Sequence, residues 1–195
     1  MLTVDYITNR VFNSRTYILS DEKYDSVWLV DCGDTDRVVE MIRGRSVEGV
    51  LLTHAHSDHI YGLEELIKRY PAVKVFTNAA GVDALKSPKL NISHYHSEYP
   101  DISIVAPDNV CVLKEGDKME FFGMPVQVYE TPGHDPSSLT YIIEDKIFTG
   151  DSFIPGQKVF TGFPYSNKLQ AAESLKKIMV LIEGRAILPG HTVAE

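Results

Sequence analysis

A chain of 195 residues, 44% hydrophobic and 24% charged, is long enough to bury its own core and has the composition of an ordinary globular protein. Its formal net charge of −8 argues against a nucleic-acid partner, because a basic face supplies most of that affinity. No apolar run reaches the roughly 18 residues that a membrane span needs, and the start, MLTVDYITNRVF, lacks a basic segment followed by an apolar one. The expectation is a cytoplasmic protein forming a single domain over 1–195, with a small-molecule substrate and no nucleic-acid or membrane partner.

In chain order, TYILS (16–20) and SVWLVD (26–31) read as strands, and DTDRVVEMI (34–42) as a helix capped by its Asp or Thr. VEGVLLT (47–53) reads as a buried strand. Ile60, Leu63, Leu66, Ile67 and Tyr70 then fall at helical spacing, and Pro71 ends that helix. VKVF (73–76) is a short strand and NAAGVDALK (78–86) a helix. Residues 87–108 show no clean period and read as an insertion or flap. From 109, strands return in series as VCVL, MEFF, VQVYET, SLTYIIE and KIFTG, separated by turn signals such as EGDK and EDK. A loop follows. A helix over 168–183, capped by Ser166 or Asn167, would place Leu169, Ala172, Leu175, Ile178, Met179 and Ile182 on its buried face. AILPGH closes as a strand and its exit. Strand-rich halves flanked by amphipathic helices predict sheet packed on sheet, with helices outside. Cys32 and Cys111 read as buried free thiols, and Trp28 as core.

Metal-type side chains collect at the ends of these strands. His54, His56, Asp58 and His59 follow GVLLT, His134 follows VYETPG, Asp151 follows IFTG, and His191 follows AILPG. Loops at strand ends can converge on one point while the sheets hold them rigidly. The glycines before His134, Asp151 and His191 would let the chain turn sharply there. By composition, His-x-His-x-Asp-His arises by chance in roughly one such chain in a thousand. Neutral imidazole and carboxylate suit Zn²⁺ first, with Mn²⁺ or Fe²⁺ acceptable. Seven candidate ligands exceed what one ion uses, so two divalent ions sharing Asp151 are expected. Three histidines would complete one site; two histidines and Asp58 would complete the other. Ions about 3.5–4 Å apart can bridge a hydroxide able to attack at neutral pH. GHDPSS lacks the strand, elbow and helix of a serine nucleophile.

Taken together, THAHSDH, TPGHDPSS, TGDS and LPGH resemble the metallo-β-lactamase-fold hydrolase superfamily across nearly the whole chain, and its small glyoxalase-II-like members in particular. The resemblance implies an α/β fold, the αββα four-layer sandwich, with a binuclear centre at the sheet edge. It implies His54, His56, His134 and Asp151 on one metal and Asp58, His59, His191 and Asp151 on the other; in the expected reaction Asp58 is the catalytic residue that keeps one ion and its water oriented. The bridging Asp151 is a departure from the β-lactam-degrading members. The segment that follows, SFIPGQKVFTGFPYSNK, is a departure from the Gly- and Arg-containing one of glyoxalase II proper.

The expected reaction is hydrolysis of a small ester, thioester or lactone. A mononuclear iron persulfide dioxygenase-like oxidoreductase is the alternative, and a phosphodiesterase a more distant one. Lys158, Phe160, Tyr165 and Lys168 of the 155–168 loop are candidate substrate contacts. His94 and His96 form a second His-x-His pair that is assigned to the flap surface rather than to a metal.

Overall fold

The computed structural model describes residues 1–97, 100–106 and 108–192. Strict alternation in its central strands sets the architecture. In β3 (Ser26–Val30), Val27 and Leu29 face one way, against Val38 and Ile42 of α1 (Thr35–Ile42) and Leu63 and Leu66 of α3 (Leu63–Arg69). Trp28 and Val30 face the other way, into a second core with Phe121, Tyr141 and Phe148. A strand buried on both faces in this manner must lie in a middle layer.

The first sheet runs β1-β2-β3-β4-β5-β6, made of β1 (Thr3–Thr8), β2 (Arg15–Ser20), β3, β4 (Ser46–Leu51), β5 (Lys74–Thr77) and β6 (Val110–Val112). Its first three strands pair antiparallel and the rest parallel. The second runs β11-β10-β9-β8-β7, from β7 (Met119–Phe121), β8 (Met124–Glu130), β9 (Leu139–Ile143), β10 (Lys146–Gly150) and β11 (Ala186–Pro189). Only its β10–β11 pair is parallel. Stacked rings of Phe76, Trp28 and Phe121, with centroids 5.4 and 5.1 Å apart, help join the two sheets. α1, α2 (Ser57–Ile60), α3 and α4 (Ala79–Lys86) supply Val38, Ile60, Leu63 and Leu85 to the outer core of the first sheet. The αββα expectation is met.

Several local expectations need correction. β1 is an element not expected from the sequence: it carries no regular apolar alternation, and its Tyr6 is exposed at the sheet edge. The single helix expected through Ile60 and Tyr70 is two. It breaks at Gly62, whose carbonyl accepts from the Thr35 hydroxyl at 2.7 Å and whose N–H donates to Cys32. α5 (Lys168–Leu181) is capped by Asn167, whose side chain accepts from the Leu169 and Gln170 N–H groups. Its buried face, however, is Ala171, Ser174 and Ile178, while Leu169 and Met179 are exposed. The chain at Pro132–Gly133 comes so close that only small side chains fit: Ser174 donates to the Pro132 carbonyl at 2.6 Å, and a Cβ on Gly133 would meet Ala171. Cys32 is buried, but Cys111 only half so.

Within 87–108, Glu98, Tyr99 and Pro107 lie outside the described residues, and one short 3₁₀ turn, Ser93–Tyr95, is present.

Candidate metal centre

All seven expected ligands meet at one edge of the sandwich. β4 delivers His54 and His56, and α2 delivers Asp58 and His59. The exits of β8, β10 and β11 deliver His134, Asp151 and His191. The two sheets are tied at this edge, where the Leu139 N–H donates to the Thr53 carbonyl at 2.7 Å. Gly133 and Gly150 do adopt left-handed φ, at 131° and 50°. Gly190 does not; a Cβ there would stand 2.1 Å from Asp151 Oδ1, so its requirement is space.

Ligand-type atoms fall into three groups, each within 4.8 Å: His54, His56 and His134; His54, His59 and Asp151; and Asp58, His59 and His191. His56 Nδ1 faces His134 Nε2 at 3.0 Å, and His59 Nε2 faces His191 Nε2 at 3.3 Å. Asp151 spans the cluster, with Oδ2 3.6 Å from His134 and 3.3 Å from His191, and Oδ1 3.7 Å from His59. Asp58 Oδ2 lies 3.2 Å from His191 and 3.5 Å from His59.

The other nitrogen of each histidine fixes which atom points inward. His134 Nδ1 donates to the Phe160 carbonyl at 2.8 Å, and His191 Nδ1 to the Phe12 carbonyl at 3.0 Å. His59 Nδ1 donates to Asp31 Oδ2 at 2.9 Å, and His56 Nε2 to Asp135 Oδ2 at 3.2 Å. The Thr53 hydroxyl gives its proton to Asp31 Oδ2 at 2.7 Å and so can accept from His54 Nδ1 at 3.2 Å. Five imidazoles thereby turn a lone pair toward one small volume, the arrangement that outer partners impose on metal ligands. His54 Nε2 and Asp151 Oδ1 are buried there with no hydrogen-bond partner. Buried polar atoms are otherwise almost always paired, so the residues present fit divalent cations.

Electrostatics agree. Burial pushes His54 well below its usual range, with His59 and His56 adding to the effect, and burial outweighs Asp151 in lowering His134. Burial would raise the Asp151 carboxyl, yet His191, His59 and His54 hold it well below the carboxylate range. Burial also opposes charge on His59 and His191, but Asp58 and Asp31 lift the first to about 9, and Asp151 and Asp58 lift the second to about 11. The carboxylates therefore demand positive charge among them, which a cation supplies as well as protons do.

Asp31 and Asp135 were not singled out from the sequence. Asp31 directly follows β3 in the left-handed region at φ 60°, an unusual place for a non-glycine residue, and its Oδ1 accepts from the Thr53 N–H at 2.7 Å. Burial raises its carboxyl, while His59 and Thr53 pull it back. Its signal was a lone acid directly after an apolar strand. Asp135 adjoins His134 in the PGHDPSS stretch and accepts from the Ser137 hydroxyl and N–H. The Ser137 hydroxyl in turn accepts from the Ala55 N–H at 2.9 Å.

Two cavities open on the cluster, and His134, Asp151 and His191 line both. One, about 350 Å³, includes Asn13, Gln157, Lys158 and Thr192; the other, about 330 Å³, includes Asp58, Ile92, His96 and Phe163. Phe12 and Phe160 line both. Of the loop candidates, Lys158 and Phe160 are at the site. Tyr165 lies in a separate depression with Ala84 and Pro136, and Lys168, at the start of α5, lines neither cavity. His94 is exposed beside Asp101, whereas His96 turns into the mouth against Phe12. Neither belongs to a metal-type group among the described residues.

Residues 10–191 match the family described as the metallo-beta-lactamase superfamily. The chain belongs to that superfamily. It is 31% identical over 167 residues to the hydroxyacylglutathione hydrolase of Vibrio campbellii, covering 84% of this chain and 56% of that protein. It is 29% identical over 195 residues to the hydroxyacylglutathione hydrolase of Photobacterium profundum, covering 98% and 66%. The chain thus spans between about half and two thirds of the length of these curated relatives. The superfamily fold also appears in two solved structures. BLEG-1 B3 metallo-beta-lactamase superposes with TM-score 0.87 at 22% identity, covering 97% of this chain and 92% of that one. TTHA1623 in a di-iron-bound form superposes with TM-score 0.80 at 23% identity, covering 96% and 92%. No helix among the described residues is long and apolar enough to cross a membrane.

Proposed function

We propose that this chain is a metal-dependent hydrolase with a binuclear centre, acting in the cytoplasm on a small ester, thioester or lactone. The observation that carries the reading is the reach of one carboxylate: Asp151 lies 3.6 Å from His134, of the group His54, His56 and His134, and 3.3 and 3.7 Å from His191 and His59, of the group Asp58, His59 and His191. The curated relatives' name, hydroxyacylglutathione hydrolase, supports a thioester among the candidate substrates.

Divalent ions bound to this donor set supply Lewis acidity, bringing the pKa of water toward neutrality and polarising a carbonyl. The protein's own contribution is orientation. Asp58 lines the cavity, and although burial would raise its carboxyl, His59 and His191 hold it below the usual carboxylate range, so it stays a hydrogen-bond acceptor able to orient the attacking water. Asp31 and Asp135 keep His59 and His56 from rotating. None of the five cluster histidines is placed to protonate a leaving group: each has one nitrogen committed to an outer partner and the other turned to the cluster. Substrates that release a thiolate, or a ring-opened alkoxide that a bound cation would carry, are therefore favoured over unactivated amides. Lys158 at the mouth suits an anionic leaving portion.

The test is a metal-replete sample assayed against small thioesters, lactones, phosphodiesters, β-lactams and amides, with and without chelator. Chelator-sensitive cleavage of a thioester or lactone is expected. Oxygen consumption with a persulfide by a sample holding a single iron would replace this reading with the oxygenase one. Cleavage of phosphodiesters alone would overturn the substrate class.

A further inference from the structure

Phe12 and Phe160 each meet the centre through two different atoms. Their carbonyls fix His191 and His134, at 3.0 and 2.8 Å, while their rings turn outward into the mouth. There the Phe12 ring meets His96 with centroids 4.9 Å apart, and the Phe160 ring meets Phe163 at 4.9 Å. Phe163 in turn packs edge-on against His56 at 4.9 Å. Phe12 and Phe160 are 44% and 57% exposed, and both line the cavity that Asp151 also lines.

Ile92 completes this wall under strain. It sits at φ 62°, and Phe12 at φ 51°, in the left-handed region that bulky and β-branched side chains avoid. Such strain persists only where surroundings over-determine it, and it clusters at ligand clamps. The surroundings are present. The Asn91 side chain donates to the Ala84 and Ile102 carbonyls at 3.0 and 2.8 Å and accepts from the Ser93 N–H at 3.0 Å. The Asn91 carbonyl accepts from the Ser57 N–H at 2.9 Å, tying Ile92 to the helix that carries Asp58 and His59. The other cavity shares Phe12, Phe160 and Asp151 with this one but adds the polar side chains Asn13, Gln157, Lys158 and Thr192, whereas Ile92 and Phe163 line this one alone.

We propose that Phe12, Ile92, Phe160 and Phe163 form an acyl subsite that selects an aliphatic chain on the carbonyl side of the substrate. The polar cavity then receives the leaving portion. This rests on the hydrolase reading and names its substrate class as esters, thioesters or lactones of medium-chain aliphatic acids, rather than of short hydroxy acids.

The experiment compares acetyl, butanoyl and hexanoyl thioesters of one thiol on the metal-replete protein. It is paired with calorimetric binding of the matching free carboxylates, and metal content is measured throughout. In the unmodified protein kcat/KM should rise up to about fourfold per methylene, the gain expected for full burial. Phe12→Ala retains the backbone carbonyl, so metal content should hold while the hexanoyl-to-acetyl ratio falls at least about tenfold, mainly through KM. Phe163→Ala provides a second variant that alters no partner of a ligand nitrogen, and its ratio should fall likewise. Equal rates and equal affinities for all chain lengths in the unmodified protein would overturn the subsite, as would an unchanged ratio in both variants. Carboxylate affinity that climbs with length while no thioester turns over would sink the hydrolase reading and leave the subsite standing.

Discussion

The two sheets feed the centre in different ways. The first contributes His54, His56, Asp58 and His59 within six residues, all nearly buried, and braces them with side chains: Asp31, Thr53 and, from the second sheet, Asp135. The second contributes His134, Asp151 and His191 from three separate strand exits. Its two histidines are oriented by main-chain carbonyls at the mouth: Phe160 on a loop that follows β10, and Phe12 on the β1–β2 connection of the first sheet. A rigid, acid-braced half thus faces a half whose ligand geometry is coupled to the loops that meet substrate. Mutations of side chains should therefore injure metal retention in the first half and substrate handling in the second.

Asp151→Ala should break the comparison altogether, because this carboxylate lies within reach of both histidine groups. Loss of metal affinity and kcat should exceed the roughly 10–100-fold that outer partners cost elsewhere, read by elemental analysis and steady-state kinetics. A loss no greater than that of His59→Ala would deny the sharing.

Asp31→Asn should come next. One amide oxygen cannot accept from both Thr53 groups and His59, so a buried donor is left unsatisfied, at about 1–3 kcal/mol of stability. Metal affinity should drop about 10–100-fold, with the loss concentrated on the ion held by His59. Asp135→Asn should place its loss on the ion held by His56. Competition titrations against a chromophoric chelator separate the two ions, and identical patterns for both variants would dissolve the distinction.

His94→Ala should do least. The side chain is exposed, where it meets Asp101 and the edge of Tyr95, so metal content should be unchanged and thermal stability should shift by less than about 0.5 kcal/mol. Metal loss in this variant would mean that the flap reaches the centre.

The same contrast decides what was legible in the sequence. His-x-His-x-Asp-His is local, so its spacing alone announces a ligand set. His134, Asp151 and His191 are far apart in the chain and were legible only because each follows a strand with a glycine before it. A carbonyl acceptor such as that of Phe12 or Phe160 has no sequence signature, since every residue owns one. Asp31 was hidden as an ordinary strand-end acid, although it supports both Thr53 and His59. The α5 face was misread because apolar residues surround that helix, and the close approach of Gly133, rather than hydrophobicity, decides which small side chains go inside. Tyr165 and Lys168 were grouped with Lys158 and Phe160 by proximity in sequence, but the loop turns away after Phe163 toward the cap of α5.

Metal stoichiometry tests the central claim most directly. The protein, stripped with chelator, reloaded with zinc, manganese or iron and freed of excess metal, should retain about two ions per chain. Asp151→Ala should not retain two. A reproducible single ion per chain under replete conditions, with Asp58, His59 and His191 each replaceable at no cost to metal content, would contradict it.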